Sequence, residues 1–463
     1  MSNNEMTPSD ALYQARNLIG QIQEQLTQLY EIVPYLEENP TLHENVEQTR
    51  ALFLDAEELL RHPHLRIATI GTTSSGKSTL VNAMVGRRIA PMDAGELSAG
   101  ILHLVHADRH RLHIKPVEGL WDEVDVPDLS DGAMYQHVRE KVFKVFHEAK
   151  TKRTIRVPEV RIEGPLLATA PELLGLPEEV GVEIFDLPGL NSVQDQDNMK
   201  VIQHYLQDCF SIVVMHYGQT DKASREKLLR EVKRVVDAMR GRTDATLFVL
   251  NRTDERKKDD DPLEVRLGEF ASAIQHTLEL QEPPTLLPIS ALPLFYGQSA
   301  WGTSYPWSKD AGLLPLTEPK DWLANFQYFS DDCAGLIRNH TKERADIREW
   351  FNDRYDPDSL SVGELRQWLH WTWKWSHGFE FWQELRERVA NRFPEIVIGP
   401  VLIKPLPSLH ALLAQLAQFL EIQRLENHAA IIERQERLKA QFEAMNIFLI
   451  RKKSSFKLAL KKR

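Results

Sequence analysis

Residues 71 to 79, Gly-Thr-Thr-Ser-Ser-Gly-Lys-Ser-Thr, satisfy the pattern G-x-x-x-x-G-K-[ST] at every position. The chemistry of such a loop is phosphate binding. Gly71, Ser75, Gly76 and Thr79 belong to a backbone whose N–H groups can close around β- and γ-phosphates, and the glycines permit the close approach. Lys77 adds a point charge, and Ser78 offers its hydroxyl to Mg²⁺. An ordinary Gly/Ser turn would share this composition. It would not need an apolar strand directly before it (Leu65, Ile67, Ala68, Ile70) and an apolar helix directly after it (Leu80, Val81, Ala83, Met84, Val85). Both are present and in register.

Three further motifs identify the nucleotide. The run Val182, Ile184, Phe185 ends in Asp186-Leu-Pro-Gly189, a D-x-x-G in which a carboxylate meets Mg²⁺ through water and the Gly189 N–H meets the γ-phosphate. Thr246 to Leu250 end in Asn251-Arg252-Thr253-Asp254, which resembles the N-K-x-D guanine reader of GTPases with arginine at the lysine position. Asp254 can accept hydrogen bonds from the N1–H and exocyclic amine of guanine, a pattern adenine lacks, and a buried carboxylate left unpaired costs several kcal/mol. Arg252 keeps a long stem to pack over the base, although its broader head group alters the fit. Leu286, Leu287 and Ile289 lead into Ser290-Ala291, which resembles the S-A-[KL] loop whose backbone contacts the guanine oxygen. Singly these motifs are weak. Four in order, each closing an apolar strand, point to GTP with Mg²⁺.

The segments SSGKSTLVNAMVG, APMDAGELS and FDLPGLNSV closely resemble the dynamin-like GTPases, over roughly residues 64 to 295. Gly71 and Asp186 stand 115 positions apart, which suits a large dynamin-type domain better than a small Ras-type one. The resemblance places Ser98 where the family carries its switch threonine, toward Mg²⁺ and the attacking water. Leu190 stands where Ras-like proteins use glutamine to orient that water. In dynamins a phosphate-loop serine binds a monovalent cation, K⁺ or Na⁺, that replaces an arginine finger, and head-to-head pairing of two GTPase domains completes the site. Ser74 is the matching position; its alternative role is a turn-capping hydroxyl. The catalytic candidates are thus Ser74, Lys77, Ser98 and Gly189, with Ser78, Ser98 and Asp186 at the metal. The activity implied is GTP hydrolysis coupled to self-assembly and membrane remodelling. The alternative is a GTP-gated scaffold that recruits a protein partner without membrane work.

Strands ending in motifs and alternating with helices define an α/β phosphate-loop fold, a mostly parallel sheet flanked by helices. The expected domain runs from 64 to 396, with insertions near 116–180 and 292–375. The first insertion should hold a helix from Met134 to Lys150 and an extended segment from Val157 to Ile162. Nine of the ten tryptophans lie at or after Trp301. Trp368, Trp371 and Trp375 share a helix face with Leu365, either as a partner or lipid surface or, the favoured reading, as a packed satellite core. Residues 1–63 read as two helices, one with a seam from Leu12 to Val33, the next opened by a Thr41/Glu44 capping box. Pro394, Gly399, Pro400, Pro405 and Pro407 read as a hinge. Residues 397–450 read as the start of a helical stalk, lacking the returning chain that would complete it. Either the sequence is incomplete relative to its relatives or a second chain completes the stalk.

Residues 451 to 463 hold seven Lys or Arg and no acid, within a chain of formal charge −11. This tail is either a contact for anionic lipid, worth roughly 1 kcal/mol per cation, or, the preferred reading, an unrelated segment after a helix that ends at Ile450. The overall charge disfavours nucleic acid as a partner. Cys209 and Cys333 lack metal-site spacing. No stretch approaches 18 apolar residues, and nothing resembles a signal peptide, so a cytoplasmic protein with at most peripheral membrane contact is expected.

Overall fold

The computed structural model describes residues 6–32, 39–71, 74–92, 100–150, 155–188, 200, 203–206, 209–218, 226, 229–230, 232–234, 236–237, 243, 245–257, 259–303, 319–353, 360–426 and 432–461. The chain divides into two compact units, one of Met1–Pro63 with Asn391–Arg463, the other of His64–Ala390.

Two helices open the first unit, α1 (Pro8–Ile32) and α2 (Pro40–Arg61). The seam Leu12, Ala15, Ile19, Ile22, Leu26, Leu29 is buried along α1, against an α2 stripe of Val46, Phe53, Ala56 and Leu60. The cap of α2 differs from expectation. Asn39, not Thr41, is the N-cap, its side chain accepting from the Leu42 N–H at 3.1 Å. Pro40 at the first helical position fixes the start there, because its missing N–H would have no intrahelical partner anyway.

The second unit is built on a nine-stranded sheet in the order β4-β3-β5-β2-β6-β1-β7-β8-β9. The strands are β1 (His64–Gly71), β2 (Ile101–His106), β3 (Arg111–Ile114), β4 (Val124–Pro127), β5 (Glu159–Gly164), β6 (Gly181–Asp186), β7 (Phe210–His216), β8 (Thr246–Asn251) and β9 (Leu286–Pro288). Five pairings are parallel and three, β2–β6, β3–β4 and β3–β5, are antiparallel. The first insertion adds β4 and β5 to the sheet itself. Its helical stretch begins at Asp131 instead of Met134, because Ser130 caps it by accepting from the Ala133 N–H, and His137–Phe143 are wound as a π-helix. The central strands β1, β6, β7 and β8 are almost wholly buried, as parallel strands covered on both faces must be.

Helix α3 (Lys77–Val85) follows the phosphate loop. The second insertion is helical where described, with α4 (Ala291–Trp301), α5 (Pro319–Asp332), α6 (Ala334–His340), a helix at Ala345–Asp353 and α7 (Val362–Trp375), and α8 (Gly378–Phe393) follows it. Its aromatic residues form a satellite core. Trp368 is fully buried, with ring centroids 5.2 Å from Phe326 and 5.6 Å from Phe329, and Trp371 meets Trp350 at 4.9 Å. Ser361 and Glu364 make a reciprocal capping box at the start of α7.

The proline-rich stretch expected as a hinge is helical. Residues Pro394–Ile398 form a π-helix, Gly399–Leu402 a short helix, and α9 (Pro405–Glu426) follows. Pro394 and Pro400 sit in first turns, where proline is tolerated. Helix α10 (Ile432–Lys461) likewise continues through Ile450, where an end was expected. No proline or glycine lies between Ile432 and Lys461 to stop it. Within this unit α9 packs on α2, and α10 on α1; Thr49 and Ser408 hydroxyls meet at 2.8 Å.

Candidate functional site

Parallel strands bring their C-terminal ends to one edge of a sheet, and ligands of open α/β folds bind there. In this sheet Thr69 is paired with Asp186, Gly71 with Val214 and His216 with Asn251. The phosphate loop, the Asp186 motif, the Asn251–Asp254 motif and the Ser290-Ala291 loop therefore meet at the ends of β1, β6, β8 and β9. Two glycines are required by geometry. A Cβ on Gly71 would come 2.2 Å from the Val214 carbonyl oxygen, and one on Gly76, at φ +81°, would come 2.4 Å from Asn251 Nδ2.

Lys77, the first residue of α3, is only 5% exposed, and no carboxylate among the described residues lies within ion-pair distance of it. A positive charge in the phosphate loop, lining the cleft, suits an anion. The Ser75 hydroxyl beside it is buried, with no hydrogen-bond partner among the described residues. Ser78 Oγ donates to Asp186 Oδ2 at 2.6 Å, and Thr69 Oγ1 to Oδ1 at 3.4 Å. Burial pushes the Asp186 carboxyl up, against the pull of Lys77 and the two hydroxyls. This oxygen pair fits a hard dication such as Mg²⁺, whose charge would hold the carboxylate ionised. Ser74 stands at φ +60° with its side chain exposed.

At the other end, Asn251 works as a staple. Its Nδ2 donates to the Ser75 carbonyl at 2.7 Å, and its Oδ1 accepts from the Ala291 N–H at 2.9 Å. Ser290 Oγ accepts from the Asp254 N–H at 3.0 Å and lies 2.9 Å from Thr253 Oγ1. Burial pushes the Asp254 carboxyl up, against the pull of the Ser290 side chain and of its own backbone N–H. Arg252 takes a left-handed conformation and ion-pairs with Glu255 at 3.0 Å.

One cleft of about 1240 Å³, open to solvent, runs past the phosphate loop; residues 74–79, Arg88, Pro91, Met92, Arg252, Leu292, Tyr296 and Asp332 line it. Sequence reasoning missed Arg88, Leu292, Tyr296 and Asp332. They belong to no motif, and only the tertiary fold brings them to the cleft. Ser98 and Gly189 lie outside the described residues, as does Leu190.

A phosphate loop at the end of a parallel strand, a buried Ser–Asp pair and an Asn-Arg-Thr-Asp loop define a phosphate-loop nucleotide-binding domain of GTPase type. Residues 67–253 match the profile of the Dynamin family. Dynamin-1-like protein from Danio rerio is 28% identical over 219 residues, 44% of this chain and 30% of that protein. The protein of that name from Mus musculus is 26% identical over 218 residues, 44% of this chain and 28% of the relative. The solved structure of the LeoA bacterial dynamin GTPase from ETEC superposes with a TM-score of 0.39 and 15% identity, covering 89% of this chain and 51% of that one. The chain thus spans about 30% of the length of the curated relatives it matches. The Dynamin family match lies within the sheet unit.

Proposed function

We propose that this protein binds GTP with Mg²⁺ and hydrolyses it, in a cycle coupled to self-association and to contact with a membrane surface. The observation that carries the reading is the convergence, at the ends of β1, β6 and β8, of the phosphate loop with Lys77, the Ser78–Asp186 hydrogen bond, and the Asn251 amide that ties the loop to the Ser290-Ala291 turn. A guanine nucleotide fits this arrangement. Lys77 would neutralise β- and γ-phosphate charge, and the loop N–H groups would hold the chain of phosphates in line. Ser78 and, through water, Asp186 would hold Mg²⁺, which supplies charge neutralisation at the phosphates. Ser98 and Gly189 are proposed at the γ-phosphate. Ser74, exposed at the cleft, is proposed as ligand of a K⁺ or Na⁺ ion. Dynamin-type pairing of two such domains would complete that site.

Among the described residues no single helix is long and apolar enough to cross a membrane, so the membrane contact proposed is peripheral. Calorimetric titration with GDP and ADP in the presence of Mg²⁺ tests the nucleotide reading. GDP should bind at least a hundredfold more tightly, and equal affinities would overturn it. Co-sedimentation with anionic vesicles, with and without a GTP analogue, tests the membrane part separately.

A further inference from the structure

The cleft holds one carboxylate that neither phosphate nor guanine recognition uses. Asp332 is the last residue of α5, and Tyr296 on α4 donates its phenol hydrogen to Asp332 Oδ2. Both side chains line the cleft together with residues 74–79. The described residues offer no hydrogen bond to the other oxygen, Oδ1, and Asp332 is exposed to the cleft. The next residue, Cys333, is buried near the guanine loop: its thiol is pushed up by burial and by the field of Asp254, and α6 packs on Thr253–Glu255. Asp332 thus lines the cleft beside the phosphate loop, and the residue after it is near enough to Asp254 to feel its charge.

A carboxylate is the wrong charge for a phosphate contact. It is also placed against the negative end of its own helix, where an anion is unfavourable. Burial and Asp332 raise the Tyr296 phenol well above its usual range, so it stays a donor. In a guanosine nucleotide the group between base and phosphates is the ribose, whose vicinal hydroxyls are two donors at the spacing a carboxylate accepts.

We propose that Asp332, oriented by Tyr296, receives the ribose hydroxyls of the bound nucleotide and makes the site selective for ribo- over deoxyribonucleotides. The proposal rests on the guanine-nucleotide reading of the cleft. It is tested by titrating the protein with GDP, 2′-deoxy-GDP and 2′,3′-dideoxy-GDP, with ADP as reference. Expected for the unmodified protein is a loss of about fivefold or more with each deoxy ligand. Asp332→Ala should bring GDP and its deoxy analogues to within about twofold of one another while GDP remains far ahead of ADP. Tyr296→Phe should narrow the same gap in part. Equal binding of GDP and 2′,3′-dideoxy-GDP by the unmodified protein overturns the proposal and leaves the guanine reading standing. Undiminished discrimination in Asp332→Ala also overturns it. Failure to bind any guanine nucleotide overturns the reading of the cleft and the proposal together.

Discussion

Lys77 and Asp254 stand in two different motifs of the site. Lys77 is only 5% exposed in the phosphate loop, and burial pushes the Asp254 carboxyl up. Replacing Lys77 by alanine removes the fixed positive charge and should weaken GTP binding by about 3 kcal/mol or more, a hundredfold or greater change in Kd. Asp254→Asn should instead leave phosphate affinity nearly intact and erase the preference for guanine over adenine, read by competition with ATP. At this scale the sequence was legible where chemistry dictates residue type and spacing: Ser75, Gly76, Lys77, Ser78 and Asp186 do converge. Tyr296 and Asp332 were not legible, since no local spacing joins a residue of α4 to one at the end of α5.

Between elements, the buried amide of Asn251 ties the phosphate loop after β1 to the start of α4. Asn251→Ala leaves the Ser75 carbonyl and the Ala291 N–H without partners, each costing about 1–3 kcal/mol. Urea unfolding should show a loss on the order of 3 kcal/mol, and GDP affinity should fall with it. Glu183 on β6 gives a second, pH-dependent case. Burial would raise its carboxyl. His103 at 3.3 Å, Arg66 at 3.1 Å and His64 at 3.4 Å outweigh that and hold it at about 2, against 4.5 when unfolded. His103 is itself pushed down by burial, against the opposing pull of Glu183. With the folded value depressed, the stabilisation is complete above pH 4.5 and is lost as pH falls toward 2. Glu183→Gln should cost on the order of 2 kcal/mol at pH 7. The gap to the parent should narrow measurably at pH 3.5; an unchanged gap would refute the linkage. Element types were readable because apolar runs of strand length ended at motifs. Helix ends were not. Asn39 outcompeted Thr41 as cap, and prolines that read as breaks proved to be first-turn residues of new helices.

Across the whole molecule, the sequence at 1–63 and after 391 gave two separate helical readings, but these residues form a single compact unit. Nothing local announces that α1 and α2 will pack with helices more than 340 residues later, because an amphipathic seam specifies burial and not its partner. If GTPase domains pair to complete the Ser74 site, turnover per molecule should rise with protein concentration and require K⁺ or Na⁺. Ser98→Ala should slow turnover far more than it weakens binding. A rate per molecule that stays flat on dilution and in cation-free buffer would exclude that arrangement.

The tryptophan-rich satellite core makes the protein its own optical probe. Helix α4 starts at the guanine loop and ends at the buried Trp301, and midway its Gln298 accepts a hydrogen bond from the Trp382 indole at 3.2 Å. Trp368, Trp373 and Trp375 stand buried on α7, which packs against α4. Indole emission depends on local polarity and on neighbouring rings, so a nucleotide that shifts the first turn of α4 perturbs light from the far end of the same helix. Occupancy of the cleft can then be followed by intrinsic fluorescence without any dye. Melting of the satellite should announce itself as a red shift distinct from loss of the sheet's circular-dichroism signal.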